Sequence, residues 1–286
     1  MTAAVLTNAL LAVLAIVMAG LGLSLTVDDF RRLRDHPLAA VLALGLQLIV
    51  LPLVCVAVIT VFHLPPLYAV GLMLLAASPG GITANLFSHL FGGHVAMNLS
   101  LTALNTVLSL VTLPLIANWA IAHYAGGGQV VPLPWQKLAE VIGVIAVPVL
   151  LGMAVRRSRP AVAARLDRPV KALSAVLLVV LTLLAIVKER EALLGAAGEL
   201  GGAVLVFNLL SLGAGYGLGR VARLPRPLCI AIGYEVGIHN STLALYLALG
   251  VLQQFPVALP AALYSVSMYV TALLFGMWLR RATGRP

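Results

Sequence analysis

Nine apolar runs, each of about 20 residues, follow one another along the chain at 4–26, 38–62, 67–90, 95–123, 136–155, 172–187, 201–219, 228–249 and 259–279. No polar stretch between them is long enough to fold as a soluble domain. In hydrocarbon every backbone N–H and C=O must find its partner within the segment or around a closed barrel, so runs of this length predict membrane-spanning helices. The fold class expected is all-α, a polytopic membrane protein with nine transmembrane helices. Composition agrees: 62% of residues are hydrophobic and 9% charged, against about 25% charged in soluble domains.

The net charge of +9 does not imply a nucleic-acid partner, because the cations sit in short clusters between apolar runs, where they encode orientation. With the N-terminus outside, the inside loops hold Arg31, Arg32 and Arg34, then Arg156, Arg157, Arg159, Arg165, Arg168 and Lys171. Arg220, Arg223 and Arg226 follow, then Arg280, Arg281 and Arg285, which makes 15 of the 18 Lys and Arg residues. Only Lys137, Lys188 and Arg190 remain outside, so an N-out, C-in topology in an inner or plasma membrane is expected. The run 172–187 is the weakest span, being short and ending in Lys188, Glu189, Arg190 and Glu191. Met1 to Thr26 lacks the basic n-region of a signal peptide and is expected to stay as a membrane helix. Cys55 and Cys229 stand alone, without metal-ligand spacing, and read as small buried hydrophobes.

Two runs are interrupted. In 67–90 the break is Ser78 to Asn85, "SPGGITAN", where Pro79 removes a backbone donor while Gly80 and Gly81 permit non-helical dihedrals. In 228–249 it is Gly233 to Ser241, "GYEVGIHNS", signalled by polarity. The two runs cross in opposite directions. Interrupted helices at matching places in inverted halves point to a secondary transporter with its site at the midplane. Unwound carbonyls are hard ligands for a small cation, and half-helix N-termini attract an anion.

Glu235 is the only acidic residue in the middle of an apolar run. A charge there costs about 2.5–3.5 kcal/mol on insertion scales, which marks it as functional; the structural alternatives are a carboxyl kept protonated by desolvation and one used only for packing through a hydrogen bond. Asn98, Thr102 and Asn105 share one face of the run 95–123. Asn85 follows the first break and Asn240 lies in the second. Together these offer oxygens suited to sodium, although each could equally bond across a helix contact. Gln47, the sole amide of its run, reads as helix glue or ligand. His63 and His123 lie near outside ends and His89 and His94 near an inside end, positions suited to the interface, whereas His239 stands four residues after Glu235. Glu235, His239 and Ser241 do not supply a nucleophile, base and separate orienting group, and no second embedded acid exists, so enzyme function is not expected.

The motifs "SPGGITANL" and "EVGIHNSTLA", within a likeness running from "GLGLSLTVDDFRRLRDHP" to the last helix, resemble the bile acid:sodium symporter family. The resemblance implies five-helix inverted repeats, the first lacking its first helix, with a core of two crossed discontinuous helices beside a panel. On that pattern 1–62 holds a panel helix and the first core helix, 38–62. Residues 63–123 complete the first core unit, 124–200 give panel helices of the second repeat, and 201–286 the second core unit. The family's first sodium site falls on Asn85, Asn98, Thr102 and Glu235. Its second falls on Gln47, Glu235, backbone oxygens around Val236 and Ile238, and His239. Ala84 stands where relatives carry a hydroxyl, Asn98 where they carry serine, and His239 where they often carry Gln.

Imidazole nitrogen is a poorer partner than an amide oxygen for a hard cation, so either one sodium suffices or the Glu235 and His239 pair lets protons couple or regulate transport. The expected function is sodium-coupled symport of a small organic anion that meets Thr83, Asn85 and Asn240. Sodium is the coupling ion, with no organic cofactor, no transition metal and no obligatory protein partner. Proton-coupled or uncoupled transport is the alternative, and an intramembrane enzyme or non-transporting sensor the alternative of another class. No motif names the substrate.

Overall fold

The computed structural model describes residues 3–126, 135–188 and 190–281, and every extended regular element among them is a helix. Each apolar run of the sequence is helical over most of its length. Five helices are long and apolar enough to cross a membrane: Pro37–Val61, Val95–Tyr124, Ala139–Ser158, Gly198–Val221 and Phe255–Arg281. Large apolar side chains face outward along them, among them Leu53, Val111, Leu115 and Leu150, each more than 60% exposed. Such a surface is stable against lipid, and the chain is a multi-pass membrane protein.

In chain order, α1 is Ala3–Ser24 and α2 the short Val27–Arg32. The helix Pro37–Val61 consists of α3 (Pro37–Gly45), a π turn at Leu46–Val50 and α4 (Leu51–Val61). The wider turn immediately precedes Pro52, whose missing N–H interrupts a regular ladder, and it carries Gln47 into the core. Then come α5 (Pro66–Ala77), α6 (Ile82–Leu90), α7 (Val95–Tyr124), α8 (Trp135–Ser158), α9 (Pro160–Lys188) and α10 (Arg190–Val221). Last are α11 (Arg226–Gly237), α12 (Ser241–Tyr246) with a π turn at Leu247–Val251, and α13 (Phe255–Arg281).

Several boundaries differ from expectation. The run 172–187 belongs to a helix that begins at Pro160, so Arg165, Arg168 and Lys171 lie on helix and only Arg159 falls at the junction. A helix can continue past the membrane plane into water, where basic residues cost nothing. Helix α10 likewise starts well before 201. Arg285 and Glu189 lie outside the described residues. Helix α2 was not anticipated, although its sequence carries a capping box: Asp29 accepts from the Thr26 backbone N–H and hydroxyl, both at 2.7 Å.

Both breaks are shorter than the polar stretches that marked them. The first spans 78–81, so Thr83, Ala84 and Asn85 occupy the first turn of α6. The second spans 238–240, so Gly233, Tyr234 and Glu235 are helical. Gly233 is needed for contact with the Tyr216 backbone and Cβ, 3.3 Å from where its own Cβ would stand.

Helices α1, α8 and α9 pack on one another, while α10, α11, α13, α5 and α7 pack around the breaks. The turns entering α5 and α11 match closely. His63 and Arg223 have φ of 49° and 56°, each followed by Leu-Pro, and Pro65 and Pro225 cap their helices with φ of −53° and −52°.

Candidate functional site

The two breaks cross and hydrogen-bond to each other. Gly81 N donates to Ile238 O at 2.7 Å and Asn240 N donates to Pro79 O at 2.9 Å, with Gly80 and His239 paired antiparallel. This backbone pairing lets two unwound segments lie in an apolar interior, where an unmet N–H costs several kcal/mol. Other carbonyls freed by unwinding accept from side chains. Gln47 Nε2 donates to Ala76 O and Ser78 O at 3.2 and 3.1 Å. Asn208 Nδ2 and the Tyr264 hydroxyl donate to Gly237 O at 3.0 and 2.8 Å.

Glu235, fully buried, turns from the last turn of α11 toward α7. The Thr102 hydroxyl donates to its Oε2 at 2.6 Å and Asn105 Nδ2 to its Oε1 at 3.0 Å. Asn98, one turn before Thr102, donates through Nδ2 to Ala231 O at 2.7 Å. Asn85 Nδ2 reaches Thr102 Oγ1 at 3.4 Å. The amides spend their N–H groups on these contacts and leave oxygens behind: Oδ1 of Asn85, Asn98 and Asn105, and Oε1 of Gln47, are buried without a hydrogen-bond partner. Buried acceptors are nearly always satisfied, so four orphan amide oxygens around one carboxylate and its crossing form a donor set of the type a hard cation takes.

The expected site residues fall into two groups. Asn85, Asn98 and Thr102 gather with Glu235 on the α7 side. Gln47 and His239 gather instead on Ser78 O, to which His239 Nδ1 lies at 3.3 Å. The carbonyl only accepts, so in the neutral ring Nδ1 carries the hydrogen and the buried Nε2 is left without a partner. The ring lies between Phe207, stacked at 5.7 Å, and Tyr264 at 5.4 Å. Because α11 ends at Gly237, Glu235 and His239 do not share a helix face, and no hydrogen bond joins them. Ile238 O is engaged by Gly81 N, and Val236 is buried on α11.

Thr83 and Asn85 line a cavity of about 410 Å³ bounded by Leu21 and Ser24 of α1, Ile82 and Leu86 of α6, and Leu99 of α7. Asn85 thus faces both the cavity and the carboxylate cluster. Asn240 takes another role: its Oδ1 caps α12 by accepting from Leu243 N at 3.1 Å. Its side chain is held by the helix it precedes, and it does not line this cavity.

Asn105, counted in the sequence among the oxygens suited to sodium, was left out of the two sites that the resemblance implied, although it lies on the face that holds Asn98 and Thr102. Sequence reasoning also missed Asn208 and Tyr264. Asn208 is the sole amide of the run 201–219, the same signal that singled out Gln47.

A family model described as Sodium Bile acid symporter family matches residues 11–196. An uncharacterized sodium-dependent transporter of Bacillus subtilis is 29% identical over 88% of this chain and 77% of its own length. A probable chloroplastic sodium/metabolite cotransporter of Arabidopsis thaliana is 27% identical over 94% of the chain and 66% of its own length. The human ileal sodium/bile acid cotransporter is 25% identical over 84% and 68%. These relatives are transporters, which removes the enzymatic alternative. With the family match covering well over half of its residues, the chain belongs to the sodium bile acid symporter family.

Proposed function

We propose that the chain is a sodium-coupled symporter of an organic anion that works by alternating access. The observation that carries this reading is the set of buried amide oxygens, Asn85, Asn98, Asn105 and Gln47, left without donors around Glu235 and the crossing. The names of the relatives support sodium as the coupling ion. Sodium sits against Glu235 and Thr102 with Asn98, Asn85 and Asn105, and its charge offsets the buried carboxylate. The second position, at Gln47, Glu235, His239 and the carbonyls of Val236 and Ile238, is weaker because an imidazole nitrogen stands where an amide oxygen suits sodium better.

The anion occupies the cavity beside Thr83 and Asn85, where the N-terminus of α6 supplies partial positive charge. Leu21, Ile82, Leu86 and Leu99 give the wall an apolar character, which suits a carboxylate with a sizeable apolar body. Asn85 transmits ion binding to the substrate: ordering its amide on sodium fixes the group that meets the anion. The matched turns before α5 and α11 support inverted repeats, with α1, α8 and α9 as the panel. Nine spans, with the basic clusters of the sequence on the inner side, support an N-terminus outside and a C-terminus in the cytoplasm of an inner or plasma membrane.

Uptake of labelled small organic acids into proteoliposomes, with sodium, potassium or proton gradients imposed separately, tests the proposal. Sodium-driven accumulation is expected, and Glu235→Gln abolishes it while leaving the protein monodisperse. Accumulation driven by protons and indifferent to sodium refutes sodium coupling; wild-type uptake by Glu235→Gln removes the carboxylate from the mechanism.

A further inference from the structure

A second cavity, of about 460 Å³, lies outside the crossing altogether, between the ends of α1 and α8 where the chain turns into α2. It lies next to a close helix contact. At Gly22 and Gly152 the two backbones touch: a Cβ at Gly22 would stand 3.0 Å from the Gly152 Cα, and one at Gly152 2.7 Å from Leu23 N. Two residues after Gly22 α1 ends, and a wedge lies between the segment 25–27 and α8. Leu25 and Val27 form one wall and Leu150 and Met153 the other, while Arg156 and Arg157 stand at its mouth.

Neither arginine has an acidic partner among the described residues, where the ion pairs are Arg31–Asp28, Arg32–Asp29 and Lys137–Glu140. They occupy the last turn of α8, so the carbonyl end of the helix favours cations there. Leu150 is 62% and Val27 55% exposed, so the wedge is open toward the bilayer. An apolar slot in a membrane-facing surface, closed at its water end by two unpaired guanidinium groups, matches a molecule with a fatty chain and an anionic head. Guanidinium pairs suit phosphate because they donate in a fixed, forked geometry.

We propose that this wedge binds an anionic phospholipid, with an acyl chain along Leu25, Leu150 and Met153 and the headgroup phosphate on Arg156 and Arg157. Basic pockets between membrane helices take such headgroups. The lipid sits beside α2, the segment that links α1 to α3, and so props the joint between α1 with its neighbours and the rest of the bundle.

The test uses the full chain purified in phosphatidylcholine nanodiscs doped with phosphatidylglycerol, with retained lipid counted by native mass spectrometry after release. Wild type is expected to retain phosphatidylglycerol. Each arginine contributes about a fivefold factor near an anionic surface, so Arg156→Gln with Arg157→Gln lowers retention about 25-fold. Ala154→Trp, at an exposed position lining the wedge, fills the slot without changing charge and abolishes retention. A control with Arg220→Gln and Arg281→Gln, which removes equal charge elsewhere, retains the lipid. Equal loss in the control overturns the proposal, because it shows diffuse attraction. Loss in only one of the two site variants overturns it too, since head and chain are both required. Competition by glycerol phosphate as effective as that by phosphatidylglycerol shows the chain to be irrelevant and has the same consequence.

Discussion

Gly80→Ala tests whether the crossing positions the carboxylate, and its effect can be worked from distances. A Cβ at Gly80 would stand 2.6 Å from Glu235 Cδ and 2.8 Å from Oε2, where relaxed carbon contacts need roughly 3.5–4.0 Å. Glu235 must therefore retreat by about 1 Å. That lengthens the 2.6 Å bond from Thr102 and the 3.0 Å bond from Asn105 beyond hydrogen-bonding range. Hydrogen bonds to a charged group contribute about 1.5–3 kcal/mol each, so the carboxylate is displaced from its held position at a cost of roughly 3 kcal/mol or more. Sodium affinity should fall about 100-fold. The bonds Gly81 N to Ile238 O and Asn240 N to Pro79 O do not involve the methyl group, so the fold persists.

The assay is thermal unfolding in detergent with sodium chloride against choline chloride at equal ionic strength. At a sodium concentration about 100 times the wild-type Kd, stabilisation of about 2.7 kcal/mol should shrink to about 0.4 kcal/mol in the variant. Glu235→Asp, shorter by one bond of about 1.5 Å, should restore part of the response when combined with Gly80→Ala. A sodium midpoint equal to wild type in Gly80→Ala, with unchanged stability in choline, refutes the reasoning.

Two other substitutions address the coupling and the motion. His239→Gln keeps an N–H for Ser78 O and offers an amide oxygen at the crossing, so the sodium dependence of uptake should steepen toward a Hill coefficient of about 2; loss of stacking on Phe207 should cost about 1 kcal/mol of thermal stability. An unchanged Hill coefficient sinks that account of His239. Tyr246→Phe removes the 3.4 Å bond to Glu140 that ties α12 to α8; loss of about 1 kcal/mol should raise the labelling rate of a cysteine placed at Leu249 about fivefold, and an unchanged rate argues against opening of the α12–α8 contact.

The parts of the site that were legible are those the membrane makes expensive. Glu235, Gln47 and the Asn98 face stood out because a polar group in hydrocarbon needs a reason, and each is engaged at or beside the crossing. Asn208 carried the same signal and was passed over, since its run has no break of its own; its partner, Gly237 O, belongs to a different helix. Polarity also exaggerated the second break. Gly233 to Glu235 looked unwound, but Gly233 makes room for a neighbouring helix, and the helix ends only at Gly237. At Gly80 and Gly81 the sequence suggested dihedral freedom, whereas the one positive-φ glycine among the described residues is Gly92. Gly80 is needed because the Glu235 carboxylate fills the space of its Cβ, a demand set by a residue far away in the chain.

The same long-range pairing constrains what can move. Two backbone bonds and the side chains of Gln47, Asn208 and Tyr264 hold the breaks to each other and to α3–α4, α10 and α13. Opening the crossing would orphan several buried polar groups at about 1–3 kcal/mol each, with no water to take them. In the proposed transport cycle the crossing would therefore travel as a unit with the helices that satisfy it. The contacts left to give way are those toward α1, α8 and α9, where the polar link found among the described residues is the long Tyr246–Glu140 bond and the wall beside Thr83 and Asn85 is already a cavity. Under the alternating access proposed above, a motion confined to that seam would change access to Asn85 from one side of the membrane to the other without disturbing the carboxylate cluster behind it. On the proposed reading, an ion held by Asn85 and Glu235 inside the unit would bias the motion only through surfaces the unit presents to the seam, which is where Asn85 stands.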